Sequence, residues 1–144
     1  MPTVRHHQTT THDARCQESF LRHCSAAAAV GSLSTRYRVF RKSSDIVSPV
    51  ATFLFQDVTP QNLCTPAFIV HLPGRATGTF FHFPAAHHNR AGVVGFTDGH
   101  VEAHRWRDGR TIRTAALGTK IGHNFSSPNN PDLRWIQERT SALK

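Results

Sequence analysis

The sequence predicts an α+β fold, mainly β, in which an antiparallel sheet of about four to six strands is followed by a short C-terminal helix. Three observations carry this expectation. Apolar runs of strand length recur between Pro- and Gly-bearing connectors from residue 52 onward. Asp98-Gly99 separates two such runs, "GVVGFT" and "HVEAHRW", a strong signal for a two-residue hairpin turn. Near the C-terminus, "NPDLRWI" combines an N-cap residue, a proline suited to the first helical position and an acid in the first turn.

The elements follow in chain order. Residues 1–33 lack sustained periodicity and read as a poorly ordered or weakly helical segment, with "CQESFLRHCSAAAAV" its one helix candidate. Residues 34–144 read as one β-rich domain. "RYRVFRK" alternates basic with apolar or aromatic residues, as a strand with one wet face does. Strands are expected at 52–58, 67–72, 79–83, 92–97 and 100–106. The first of these carries Phe53, Leu54 and Phe55 in succession, which suggests a central strand covered on both faces. The helix should start near Pro131, capped by Asn130, and run for about three turns with Leu133, Ile136 and Thr140 on one side.

A two-residue turn at Asp98-Gly99 sets Thr97 opposite His100, Phe96 opposite Val101 and Val94 opposite Ala103. Val94, Phe96, Val101 and Ala103 would then share an apolar face, and His100, Glu102, His104 and Trp106 the other.

Composition limits the function classes. The 144 residues leave room for one domain with a modest core. Mean hydropathy is -0.38, and no run approaches the roughly 18 apolar residues of a membrane span. "AAAAV" is too short for a secretory h-region. Seventeen Lys and Arg against nine Asp and Glu give a net charge of +8. Part of the excess lies in two patches, Arg36, Arg38, Arg41 and Lys42, then Arg105, Arg107, Arg110 and Arg113. Such patches suit anionic partners, yet no helix-turn-helix, zinc-finger or aromatic RNA-binding signature accompanies them, and a pair of solvated strand or loop faces is the favoured reading. The three cysteines, Cys16, Cys24 and Cys64, form no CxxC pair. Being odd in number, they argue against a full disulfide framework, while a Cys16–Cys24 pair stays open.

The stretch 87–106 raises the question of a metal site built from His88, Asp98, His100, Glu102 and His104. Imidazole and carboxylate suit zinc. On one strand, however, His100 and His104 stand about 13 Å apart, whereas two nitrogens on one zinc lie within about 3–4 Å. The set narrows to His100 and Glu102 with His88, against the plainer reading of a hairpin with a His-rich polar face. No GxSxG elbow or Gly-rich phosphate loop occurs. The acids Asp45, Asp57, Asp98 and Glu102 form no calcium loop. "HHNRAG" is faintly similar to the His-Asn-His arrangement of small metal-dependent nucleases, which keeps a nucleic-acid-binding or nuclease domain as the alternative reading.

His88, nine residues and Asp98-Gly99 spell an H-X9-DG pattern, and "FFHFPAAHHNRAGVVGFTDGHVEAHRWRD" resembles the C-terminal signature of the prepilin-type processing-associated family. "YRVFRKSSDIVSP", "FLFQDVTPQNLCTPAF" and "SSPNNPDLRWIQERT" are similar to that family's flanking segments. The family resembles type II secretion pseudopilins and type IV pilins, which join a prepilin signal and a long apolar helix to a β-rich head. The resemblance, over residues 37–140 or so, implies a pilin-like head. The sequence departs from the family in showing no prepilin signal or apolar helix, so the sheet is expected to expose the apolar face that helix would cover. It further implies a non-enzymatic structural or interaction role in the cell envelope, no cofactor, no catalytic residues, and partners among other pseudopilin or secretion-assembly proteins. With no export signal evident, a cytoplasmic location is expected should the sequence be complete. His88, Asp98 and Gly99 are the motif positions.

Overall fold

The computed structural model describes residues 36–64, 67–72, 78–116 and 121–144, with the backbone alone for 113–116. The candidate helix in "CQESFLRHCSAAAAV" and the whole 1–33 segment lie outside the described residues. The fold is α+β with antiparallel sheets. Its strands are β1 (Phe53–Gln56), β2 (Thr79–Phe80), β3 (Ala91–Phe96), β4 (Val101–Arg105) and β5 (Phe125–Ser126). The described residues also form two α-helices of full turns, α1 (Gly109–Ala116) and α2 (Pro131–Glu138). Instead of one sheet, the strands form a three-stranded sheet in the order β1-β3-β4 and a two-stranded sheet of β2 and β5. No helix among the described residues is long and apolar enough to cross a membrane.

Several expected strands are corrected. β1 is an edge strand and β3 the central one. A bulge at Leu54 explains the difference: Phe53 pairs with Phe96, but Phe55 already pairs with Gly95. The extra residue turns Phe55 to the outer face, where it is 72% exposed, while Phe53 packs against the core. Residues 67–72 form no strand. Instead, the Ile69 N–H donates to His82 Nδ1 at 3.0 Å and the His71 carbonyl accepts from Gln137 Nε2 at 2.6 Å, so side chains satisfy this backbone. "RYRVFRK" also joins no sheet. It runs beside the C-terminal tail, with the Arg38 N–H donating to the Ala142 carbonyl at 2.9 Å and a single bridge between Tyr37 and Leu143.

The helix start matches its expectation. The Asn130 side chain accepts from the Asp132 and Leu133 N–H groups at 2.9 and 3.1 Å, and Pro131 follows it. Asn130 Nδ2 donates to Thr111 Oγ1 and Ser127 Oγ, tying α1 to α2. The buried Asp132 carboxylate does more than complement the helix dipole. It accepts from the Arg107 N–H at 3.0 Å and the Asp108 N–H at 2.9 Å, anchoring the chain that leaves β4. α2 has eight residues, just over two turns rather than three. α1 was not foreshadowed by apolar periodicity. It starts where the Asp108 carboxylate accepts from the Arg110 N–H at 2.8 Å, an N-cap contact.

The core gathers Phe80, Phe83, Trp106, Leu133 and Ile136. Phe80 and Phe83 stack with centroids 4.6 Å apart. Trp106 Nε1 donates to the Ala85 carbonyl at 2.7 Å, and the indole lies over Gly92. A β-carbon on Gly92 would stand 2.6 Å from the Ala85 oxygen and 3.1 Å from the indole. Gly92→Ala should therefore cost about 1–3 kcal/mol through overpacking. Gly95→Ala, whose added carbon would meet Phe55 at an ordinary 3.8 Å, should be far milder. Chemical denaturation of the two variants checks this, and equal losses would contradict it.

Candidate functional site

The motif hairpin is built on a three-residue loop, which corrects the two-residue turn expected. The Gly99 N–H donates to the Phe96 carbonyl at 3.0 Å and the Phe96 N–H to the His100 carbonyl at 2.9 Å. Thr97 and Asp98 thus make the turn and Gly99, at φ +95°, is the left-handed residue that closes it. The register moves by one: Gly95 pairs with Val101, Val94 with Glu102 and Gly92 with His104. A one-residue shift exchanges the faces of β4. Val94 and Phe96 therefore share the core face with His100, Glu102, His104 and Trp106, while Val101 is 66% exposed. The turn with two positive φ angles lies elsewhere, at Asn89 (50°) and Arg90 (67°), closed by paired hydrogen bonds between His88 and Ala91.

His88 and Asp98-Gly99 consequently bracket β3, one in the turn before it and the others in the turn after. The His88 imidazole is 3.8 Å from the Asp57 carboxylate, both largely exposed. Asp98 Oδ1 accepts from the His100 N–H at 3.2 Å and from His100 Nδ1 at 2.6 Å. This hydrogen bond to His100 holds the Asp98 carboxyl below its usual range. The His100 ring stacks on Phe96 at 4.2 Å. Glu102 lies 3.6 Å from His104. The expected metal set of His100, Glu102 and His88 is thus divided among three separate pairs.

His104 is not the freely replaceable surface residue its predicted face implied. Its ring lies 3.7 Å from Trp135 and 4.8 Å from Trp106. Burial lowers its pKa, outweighing the nearby Glu102 and Asp132 carboxylates that favour the charged form.

Of the basic patches, Arg36 lies 5.9 Å over the Tyr37 ring, and Arg38 Nε donates to the Leu143 carbonyl at 3.3 Å. Arg41 and Lys42 donate backbone N–H groups to Asp45. Arg105 and Arg107 are exposed. Arg110 pairs with Asp108 at 2.7 Å, lowering the Asp108 pKa. The Arg113 side chain is outside the described residues.

The structure also assembles a group that spacing could not reveal. Cys64 follows a short 3-10 turn (Pro60–Asn62), His82 follows β2, and His123 precedes β5. One ligand-type atom from each lies within 4.8 Å of the other two, the single such Cys/His/Asp/Glu group of three or more among the described residues. Cys64 Sγ is 3.4 Å from His82 Nε2. His82 is 1% exposed, and burial, followed by the facing His123, pushes its pKa down to about 4. His123 stacks on Phe81 at 4.3 Å, its Nδ1 3.2 Å from the Phe81 carbonyl and 3.3 Å from Asn62 Nδ2. The only sequence signal was a cysteine and two histidines scattered between 64 and 123, of which His82 alone lies between apolar residues.

No protein-family model, curated protein or solved structure matches this chain.

Two predictions follow from the hairpin. Open space surrounds Gly99, so its substitution penalty is purely conformational. Gly99→Val should lower stability by roughly 1 kcal/mol or more, and Gly99→Asn by less, because asparagine tolerates positive φ. Thermal melts that rank Asn below Val would contradict the loop geometry. The lowered His104 pKa means that the unfolded chain binds this proton more readily than the folded one. The His104 contribution is present above the ordinary histidine value of about 6.5 and is lost as pH falls through the lower folded value. Wild type should therefore lose more stability between pH 7 and 5 than His104→Phe, which keeps a stacking ring without titrating. Parallel denaturation curves would show otherwise.

Proposed function

We propose that this chain is a non-enzymatic, pseudopilin-like structural and interaction domain of a type II secretion or type IV pilus-like envelope assembly. The observation that carries the reading is the outer face of the β1-β3-β4 sheet. Leu54, Phe55 and Val101 stand exposed there with Leu63 beside them, edging a shallow groove of about 320 Å³ floored by Val93 and Gly95. Contiguous apolar exposure of this kind marks a contact surface. In the family that the H-X9-DG stretch resembles, an apolar helix packs on the head's sheet, so the occupant we assign is such a helix from a pseudopilin-type partner. The motif fits this role, since His88, Asp98 and Gly99 serve the turns that hold β3 in the middle of the sheet.

A photo-crosslinking residue at Phe55 or Val101, in the cell that makes the protein, tests the assignment. It should capture an envelope-fraction protein bearing a prepilin-type signal and apolar helix, while the same residue at Arg134, exposed on α2, should not. Capture of cytosolic proteins alone overturns the proposal. So does failure to capture any protein with such a signal, or tight nucleic-acid binding that falls steeply with salt.

A further inference from the structure

We propose that Cys64, His82 and His123 form a binding site for a divalent transition metal of the zinc class, held by one thiolate and two imidazoles with water in the fourth position. This site is independent of the docking role above. Thiolate and imidazole are the donors that zinc prefers, and three protein ligands plus water is an established arrangement for it. The three residues come from separate segments and converge within 4.8 Å, and the 3.4 Å between Cys64 Sγ and His82 Nε2 already matches two ligands of one tetrahedral ion. His82 is buried, which keeps bulk water from competing at that ligand. The Phe68 ring, 5.9 Å from His82, and the Phe81 ring, 4.9 Å away, give the site an apolar lining. Cys64 and His123 are half-buried, which leaves a side open to solvent. The Asn62 amide is spent on the Phe83 N–H and the Ile121 and Gly122 carbonyls, so it does not supply a fourth ligand.

The protons decide how the ion enters. His82 Nδ1 accepts from the Ile69 N–H, so the neutral ring carries its proton on Nε2, facing Cys64. Coordination through Nε2 requires that proton to move to Nδ1, and the Cys64 thiol to release its own proton to solvent. The Ile69 N–H then faces a donor and must turn away. Residues 67–72 belong to no ladder, so this movement breaks no sheet. His123 Nδ1 faces both the Phe81 carbonyl and the Asn62 amide. Since the Asn62 amide also reaches the Ile121 and Gly122 carbonyls, a proton on Nδ1 can go to Phe81, which leaves the Nε2 lone pair for the metal, the pattern common for metal-bound histidine.

The full chain, purified without a polyhistidine tag, is titrated with Co2+ as a coloured zinc analogue. One equivalent should bind, with a thiolate-to-cobalt charge-transfer band that Zn2+ then bleaches. Cys64→Ser should abolish the band, His123→Gln should weaken binding more than tenfold, and the double variant Cys16→Ser/Cys24→Ser should retain both. Zinc should also shift the Ile69 amide resonance. Absence of the band in wild type, its survival in Cys64→Ser, or its loss only in the Cys16/Cys24 variant overturns the site. An Ile69 amide unmoved by zinc removes His82 from the ligand set and overturns a three-residue site. Should Cys64→Ser misfold, His123→Gln decides alone, because its half-buried ring lies outside the core cluster, and unchanged affinity in that variant overturns the proposal.

Discussion

The inward placement of the Trp106 indole is the constraint on which most of this structure depends. Its ring fills the core beside Phe80, Phe83, Leu133 and Ile136, and its N–H satisfies the Ala85 carbonyl. One side chain thereby joins the hairpin, the chain entering it and the C-terminal helix. Truncating a buried tryptophan typically costs about 3–5 kcal/mol, a large share of a small domain's stability. The indole can occupy this place only if β4 presents even-numbered residues inward. That parity is set at Gly99, whose left-handed backbone adds a third residue to the loop. Gly92 completes the arrangement, since only the missing β-carbon admits the ring so close to the strand opposite His104. Two glycines and one tryptophan thus specify register, strand approach and core together.

This parity also explains where the sequence reading fell short. The Asp98-Gly99 pair made the hairpin legible, but Asp-Gly suits both a two-residue loop and a three-residue loop ending in glycine. Hydrophobic pattern favoured the former because it grouped Val101 and Ala103 with Val94 and Phe96. The fold instead spends Val101 on the surface and gains Trp106 inside, a trade of a small side chain for the largest one. Strand β1 misled for a related reason. Three consecutive apolar residues resemble a doubly covered strand, yet the bulge at Leu54 lets the same run serve an edge with Phe53 inward and Phe55 outward. The start of α2 was legible from local chemistry alone, because Asn130, Pro131 and Asp132 act on their own helix. The further bonds of Asn130 to Thr111 and of Asp132 to Arg107 were not, since they bridge positions 19 and 25 apart.

The candidate sites divide along the same line. His88, Asp98 and Gly99 formed a legible motif because they lie in one continuous stretch, and that stretch turns out to be a strand with its two turns. The Cys64, His82 and His123 group was invisible because three separated segments supply it. What brings them together is the polar bonding of an irregular region. Asn62 links the Phe83 N–H to the carbonyls around residue 121, and Ile69 meets His82 through its N–H. Such convergence follows from packing and cannot be read from spacing.

The apolar groove and the Cys/His group also share a piece of chain. Leu63, Ala67 and Phe68 line the groove, Cys64 sits directly after Leu63, and the Phe68 ring touches both Phe53 and His82. No sheet ladder holds Leu63, Cys64 or residues 67–69, and side chains fix them instead, as where the Ile69 N–H meets His82. An ion held by Cys64 and the two histidines would therefore lie next to residues that line the groove. The Phe68 ring, set against both Phe53 and His82, thus stands between the groove and the Cys/His group. The bulged, exposed Leu54 and Phe55 stand on the sheet side of that groove, anchored by the pairing of β1 to β3. The groove thus has one wall built on a hydrogen-bonded ladder and one held by side-chain contacts, and the latter adjoins the thiol.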